Sequence, residues 1–284
     1  MSDDHTRTTV PEAVAAVLGW PVAHSLSPRL HGFWLQEQAI AGTYLGLPVA
    51  PESFQVAVRG LAAAGFRGVN VTVPHKLAAL RLADEADDAA GAIGAVNTLV
   101  FQPDGRILGR NTDAYGFMAN LRQAGVDPQA GPALVIGAGG AARAAVHALL
   151  VAGCPRIYLT NRTEATGYAL AESMADDRII NLPFNCLKNM PDDIVLLGNT
   201  TSLGMAGKGA LDVDLSGLPD TAWVHDIVYV PLETPLLRAA RQRGLRTVDG
   251  LGMLLHQAVP AFRAFFGREV AVTDALRAHV LGGK

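Results

Sequence analysis

Cysteine is nearly missing from this chain: Cys154 and Cys186 are the two thiols among 284 residues. Two cysteines cannot make a disulfide framework, and they lack the clustered Cys/His spacing of a zinc site. They are expected to be ordinary buried thiols, and no metal is expected. Lysine is also scarce, with only Lys76, Lys188, Lys208 and Lys284, so arginine carries most of the positive charge. The net charge is −3 and charged residues make up 17%. That balance argues against a general affinity for nucleic acid or anionic membrane, which need a concentrated basic surface. No uninterrupted apolar run reaches the ~18 residues of a membrane helix. The opening stretch, MSDDHTRTTVPEA, is acidic and polar; it does not read as a secretory signal and is expected to fray. Internal repeats and low-complexity blocks are absent as well. What these absences leave is a soluble, cytoplasmic protein, half of it apolar, with material for one large domain or two of ordinary size.

The first part of the chain alternates short β-like runs with Ala/Leu-rich helical stretches. VAAVLGW (14–20) precedes SPRLHGFWLQEQA (27–39), where Ser27 can cap a helix and Pro28 takes its first position. TYLGLPV (43–49) precedes a helix over 51–65. VNVTVPHK (69–76) alternates Val69, Val71 and Val73 with Asn70 and Thr72, giving one apolar face and one that presents an amide and a hydroxyl. It feeds PHKLAALRLADEADDAA, read as helix. This rhythm predicts an α/β fold with a mostly parallel sheet flanked by helices. In VNTLVFQPDGRILGRNTD (96–113), Pro103-Asp104-Gly105 is a hairpin signal. That loop sets Gln102 opposite Arg106 and Asn97 opposite Asn111, which brings Asn97 close to Asp113. Asp113 in turn opens a helix, whose N-terminus favours an ionised carboxylate; on this evidence alone it reads as readily as a plain cap.

A second βαβ series follows, with strands in PALVI, RIYLT, DIVLLGN, AWVHDIV and LRTVD, and the chain closes with a helix over 250–267. On that helix Met253 and Gln257 share a face, Leu254, Leu255, Ala258 and Phe262 form an apolar stripe, and Pro260 should kink it. PALVIGAGGAARAAVHALLVAG (132–153) carries the most specific local signal. A strand ends at Ile136, Gly137-Ala138-Gly139 turn, and a helix follows with Ala142 in the third glycine position, the G-x-G-x-x-G/A pattern of a dinucleotide fold. Glycines admit a pyrophosphate to the backbone, and the helix N-terminus supplies N–H donors; a ligand-free glycine turn is the plainer alternative. About 20 residues on, where an acidic residue would hold ribose hydroxyls, stand Asn161, Arg162 and Thr163. An arginine suits a 2′-phosphate, and a charged hydrogen bond of roughly 1.5–3 kcal/mol gives about 10- to 150-fold preference. NADP is therefore expected, unless Arg162 is simply a surface residue.

Together these segments make the sequence similar to the shikimate dehydrogenase family, from Gly19 to about Gly267. The matching motifs are HSLSP (24–28), NVTVPHK (70–76), GAVNT (94–98), NTDAYG (111–116), GAGGAARA (137–144), NRT (161–163), TSLGM (201–205), DIVYVP (226–231) and GLGMLLHQA (250–258). The resemblance implies Lys76 and Asp113 as the catalytic pair. It implies Ser25, Ser27 and Tyr229 at the substrate carboxylate, and Thr72, Asn97 and Gln257 at ring hydroxyls. It also implies Gly137, Ala138, Gly139, Gly140 and Ala141 along the pyrophosphate, Asn161, Arg162 and Thr163 at the 2′-phosphate, and Met205 and Gly250 near the cofactor. The implied reaction is the reversible NADPH-dependent reduction of 3-dehydroshikimate to shikimate, in chorismate and aromatic amino-acid biosynthesis, by a monomer or homodimer. The implied fold is a substrate domain, 1–113 plus 250–284, and a Rossmann-type NADP domain, 114–249, with a cleft between. Quinate or aminoshikimate, with NAD or NADP, is the alternative substrate reading; a non-catalytic metabolite sensor is a remoter one, and Lys76 and Asp113 argue against it. Three positions depart from the family pattern: Gly32 follows His31 where asparagine is common, Thr166 stands where a second basic residue is frequent, and Thr200 replaces an alanine.

Overall fold

The computed structural model describes residues 13–282, so the N-terminal tail expected to fray lies outside the described residues except for its last residue. The first half runs β1 (Ala13–Gly19), α1 (Ser27–Glu37), β2 (Gly42–Pro48), α2 (Phe54–Ala63), β3 (Gly68–Val71), α3 (Lys76–Leu82), β4 (Glu85–Ala86), α4 (Asp88–Ile93), β5 (Thr98–Phe101), β6 (Ile107–Arg110) and α5 (Asp113–Ala124). Its sheet has the order β2-β1-β3-β5-β6-β4. β1 pairs parallel with β2 and β3, and β4 with β6, while β5 runs antiparallel to both its neighbours. The antiparallel strand follows from the Pro103-Asp104-Gly105 turn, which reverses the chain. Phe101 pairs with Ile107 and Thr98 with Arg110, and the Gln102 N–H donates to the Arg106 carbonyl, so the register is the expected one.

The second half runs β7 (Ala133–Ile136), α6 (Gly140–Val151), β8 (Ile157–Thr160), α7 (Glu164–Met174), β9 (Ile179–Leu182), β10 (Leu196–Asn199), β11 (Trp223–Asp226), α8 (Pro235–Gln242) and β12 (Arg246–Val248). Its sheet is wholly parallel in the order β12-β11-β10-β7-β8-β9. This is the doubly wound order, with its switch point between β7 and β10, where such sheets bind ligands beyond their strand ends.

Two further helices, α9 (Gly250–Phe266) and α10 (Asp274–Leu281), return to the first half. Leu251, Leu255, Ala258 and Phe262 of α9 join a core with Val17, Leu30 and Trp34, whereas Met253 joins Phe117, Leu121 and Ala145 on the other side. The apolar stripe therefore serves one core while its neighbour in sequence serves the other. α9 continues past Pro260 as a single helix. It lies close to α5 because Gly116 has no side chain: a Cβ there would stand 2.5 Å from Gln257 Cβ.

Several local expectations need correction. The helix read through 74–90 breaks after Leu82, because Asp84 Oδ2 accepts the Ile107 N–H and Asp87 Oδ1 caps α4 through the Ala90 N–H. Ser27 does not cap α1; it is the first helical residue, and its own N–H donates to Ser25 Oγ at 3.3 Å. Val73 does not belong to the apolar face: β3 ends at Val71, and Val73 is 70% exposed.

Candidate active site

Lys76 is the first residue of α3, at the end of the segment that leaves β3, and Asp113 is the first residue of α5. Their side chains meet in an ion pair between Nζ and Oδ2, with 17% and 8% of each side chain exposed. The carboxylate sits at the N-terminal end of α5, where the helix dipole favours negative charge. Its backbone N–H donates to Asn111 Oδ1 at 3.0 Å, and Asn111 Nδ2 is tied to the Ala95 carbonyl. The turn that aims the carboxylate is thus fixed from behind.

Asn97 arrives through the hairpin register. Its Nδ2 donates to Asp113 Oδ1 and to Thr112 Oγ1, both at 2.9 Å, and its Oδ1 accepts the Thr112 N–H at 2.9 Å. Gln257 comes from α9: its Oε1 lies 3.4 Å from Asn97 Nδ2 and 3.3 Å from Thr112 Oγ1, while its Nε2 donates to the Leu254 carbonyl. Lys76, Asn97, Asp113 and Gln257, spread over 181 positions of numbering, therefore meet at one place. Asn70 does not offer a free amide, as its strand pattern suggested. It is buried, accepting from Tyr44 and donating to Thr98.

Thr72 follows β3 directly, its N–H bonded to the Leu18 carbonyl, and its side chain packs over Gly19. Ser25 and Ser27 lie at the entry to α1, and Leu26 between them packs on the core that includes Trp34 and Phe262. Tyr229, although it follows β11 of the second sheet, packs on that same first-half core. Burial pushes its phenol above the ordinary range. The loop that carries it is held by Asp226, which accepts from Asn199 Nδ2 at 3.0 Å, the Val228 N–H at 3.0 Å and the Thr234 hydroxyl at 2.7 Å. Burial outweighs those three donors and pushes the Asp226 carboxyl up to about 6.

At the switch point, Gly137 has φ +121°, a conformation glycine tolerates, and a Cβ there would stand 2.7 Å from Thr200 Oγ1. The Thr200 hydroxyl donates to the Ile136 carbonyl at 2.7 Å, so this departure from the family pattern ties β10 to the strand that ends in the turn. Gly139 precedes α6, no side chain caps that helix, and the space beside Gly139 is open for 4 Å. These features fit a pyrophosphate bound by bare backbone at a helix N-terminus. Across the cleft, a Cβ on Gly140 would stand 3.2 Å from Lys76 Cδ, so the lysine stem lies against the nucleotide turn. Ala138 and Ala141 flank that turn, partly exposed.

Beyond β8, Arg162 and Thr163 are exposed, and Arg162 has no carboxylate partner among the described residues. Asn161 is less available. Its Nδ2 donates to the Thr163 carbonyl at 2.8 Å and to Thr166 Oγ1 at 2.6 Å. Thr166 thus braces the loop and adds no charge. Met205 stands exposed on the loop after β10, whereas Gly250 is buried against the Ile227 carbonyl and offers only backbone. Sequence reasoning assigned no role to Tyr44, Thr98 or Thr112, which complete the polar network; Thr98 and Thr112 stood inside quoted motifs, and Tyr44 gave no signal.

Comparison with known proteins agrees with this geometry. Residues 17–99 match the shikimate dehydrogenase substrate binding domain, 122–203 match shikimate/quinate 5-dehydrogenase, and 250–281 match the shikimate 5′-dehydrogenase C-terminal domain. The shikimate dehydrogenase (NADP(+)) of Rhodospirillum rubrum is 56% identical over 274 residues, covering 95% of this chain and 97% of that protein. Among solved structures, shikimate 5-dehydrogenase of Thermus thermophilus, in complex with NADP(H) and shikimate, superposes with a TM-score of 0.84 at 38% identity, covering 94% of this chain and 98% of that one. Quinate dehydrogenase of Corynebacterium glutamicum, in complex with NAD, superposes with a TM-score of 0.88 at 30% identity, covering 95% and 99%.

Proposed function

The chain belongs to the shikimate dehydrogenase family, and from that premise we propose that it catalyses the reversible reduction of 3-dehydroshikimate to shikimate with NADPH, a step of chorismate and aromatic amino-acid biosynthesis. The observation that carries this reading is the Lys76–Asp113 ion pair, set beside the nucleotide turn and backed by Asn97 and Gln257.

NADPH supplies the hydride; the rest of the chemistry falls to side chains. As negative charge grows on the carbonyl oxygen, the Lys76 ammonium stabilises it and passes a proton to it. Asp113 keeps the ammonium in place and, in the reverse direction, helps to remove the proton from the alcohol. Asn97, Gln257 and Thr72 hold ring hydroxyls, neutral groups suited to a neutral part of the substrate. Ser25, Ser27 and Tyr229 hold the carboxylate through hydroxyls. Gly137, Ala138, Gly139, Gly140 and Ala141 receive the pyrophosphate, with Gly250 closing the floor and Met205 beside the nicotinamide. Arg162, with Asn161 and Thr163, receives the 2′-phosphate.

The same reading divides the chain into a substrate unit, 1–113 plus 250–284, and a nucleotide unit, 114–249. The support is that Phe117, Met118 and Leu121 of α5 pack with Ala145 and Leu149 of α6, while most of the buried face of α9, with Leu276 and Val280 of α10, joins the core of β1 and α1. Lys76→Ala should lower kcat by ~10²–10⁴-fold with NADP affinity unchanged; near-normal turnover refutes the assignment. The relationship to a quinate dehydrogenase that was crystallised with NAD makes quinate the second substrate to assay. Steady-state rates for shikimate and quinate, each with NAD and NADP, decide between them.

A further inference from the structure

Behind the ion pair, five polar side chains form a line that runs in one direction. The Tyr44 hydroxyl donates to Asn70 Oδ1 at 2.6 Å, and Asn70 Nδ2 donates to Thr98 Oγ1 at 2.9 Å. The Thr98 hydroxyl donates to Asn97 Oδ1 at 3.0 Å, and Asn97 Nδ2 donates to Asp113 Oδ1 at 2.9 Å. The direction is forced by counting protons. A phenol both donates and accepts, so Asn70 is fixed at its other end: its Nδ2 also reaches the Asn97 backbone carbonyl, an acceptor only, at 3.4 Å, which turns its amino group toward Thr98 and its oxygen toward the one proton of Tyr44. Thr98 also has one, and because its oxygen accepts from Asn70, that proton goes to Asn97. Asn97 Oδ1 further accepts the Thr112 N–H at 2.9 Å. Turning the Asn97 amide by half a revolution would aim its amino group at that N–H and set its oxygen against the Asp113 carboxylate, a repulsion at each end.

The far end of the line is anchored. Tyr44 is buried, and its ring stacks on His31 with centroids 3.9 Å apart and planes 1° from parallel. Asn70 and Thr98 are buried too, so none of the three is exposed to bind ligand directly. An unsatisfied member of such a chain would carry the full desolvation cost of a buried polar group, and each bond polarises the next toward the carboxylate.

We propose that Tyr44, Asn70 and Thr98 are positioning residues for the reduction centre: their one-way line of donors locks the Asn97 amide so that it holds Asp113 against Lys76. The proposal rests on the reading of Lys76 and Asp113 as the proton-handling pair. Thr98→Val keeps the side chain's shape and removes the hydroxyl, whereas Thr98→Ser keeps the hydroxyl and removes a methyl. Steady-state kinetics on the polyol that the wild type oxidises best, with NADP binding followed by fluorescence, should show kcat down ~10-fold in Thr98→Val with the NADP Kd within about 2-fold of wild type. Thr98→Ser should recover kcat to within ~3-fold, and Tyr44→Phe, two bonds further away, should lose ~2- to 5-fold.

Wild-type kcat in Thr98→Val, or a loss in Thr98→Ser as large as in Thr98→Val, overturns the proposal. Should Thr98→Val fail to fold, Tyr44→Phe decides alone, and an unchanged kcat there overturns it. A wild type that oxidises neither shikimate nor quinate refutes the functional reading and this proposal with it, an outcome distinct from an active wild type beside an unaffected Thr98→Val.

Discussion

Around Asn97 the side chains of Asn70, Thr98, Thr112 and Asp113 are buried and tied together across separate segments; around Asn161, beyond β8, the polar groups stand in solvent and bond within their own loop. The first arrangement fixes orientation at the cost of tolerance, since each side chain has a defined place and a defined proton. The second works through charge at a distance. Arg162 needs only to be present and unpaired, while Thr166 shapes the turn beneath it. On the proposed reading, positioning for chemistry and recognition of a cofactor's far end therefore use different physics. Changes at the first end should strike turnover, and changes at the second should strike affinity.

The largest effect expected from that contrast is the loss of turnover in Lys76→Ala given above, with NADP binding spared. Next, Arg162→Ala should raise the NADP Kd by about 10- to 150-fold, the weight of a charged hydrogen bond. It should leave kcat at saturating NADP and all NAD parameters close to wild type. A fall in kcat there would mean that the two ends are coupled and the contrast is false.

Buried titratable groups in both halves, away from the exposed loop at Asn161, predict a pH dependence of stability. Burial pushes the His31 imidazole down to about 3 and His225 to about 4, so the unfolded chain takes up protons that the folded chain refuses. Their contribution is fully present above about pH 6.5 and is lost as pH falls toward 4, at up to ~1.4 kcal/mol per pH unit for each. Asp226, raised to about 6, acts in the opposite sense, its contribution fading as pH rises from near 4 through 6. Two groups outweigh one, and denaturant unfolding should show net loss of stability from pH 6.5 to 4. His31→Phe should flatten that slope, because neither His31 ring nitrogen has a partner to lose. An unchanged slope would mean that His31 takes up its proton in the fold as readily as in the unfolded chain. The smallest effect is Thr166→Arg. A second exposed cation beside the 2′-phosphate should tighten NADP by no more than ~5-fold, as exposed pairs add about 1 kcal/mol or less.

Much of this was legible in the sequence wherever signals were local. The Pro103-Asp104-Gly105 turn fixed a register that carried Asn97 to Asp113, and the glycine turn at Gly137 stood between a strand and a helix as required. What escaped depended on distant partners. Asp84 ends one helix because Ile107 of β6 offers an N–H that no local pattern reveals, while Asp87 starts the next by capping the Ala90 N–H. Ser27 looked like a cap, but Ser25 accepts the backbone N–H that sets the turn. Asn70 looked available to a ligand because Tyr44, which occupies it, lies on another strand. β9, half exposed at the sheet edge, and α10, which packs Leu276 and Val280 on the first core, gave no readable pattern.

The closure of the first core by α9 and α10 has a consequence for biogenesis. Val17, Leu30 and Trp34 leave the ribosome long before Leu255, Phe262 and Leu276, which cover them, because the whole second sheet stands between the two sets in the chain. The second sheet is translated in one stretch and can close while the nascent first sheet still waits with a bare apolar flank. Maturation thus runs against the order of the codons, and chaperone occupancy on the growing polypeptide should persist until α9 and α10 have emerged.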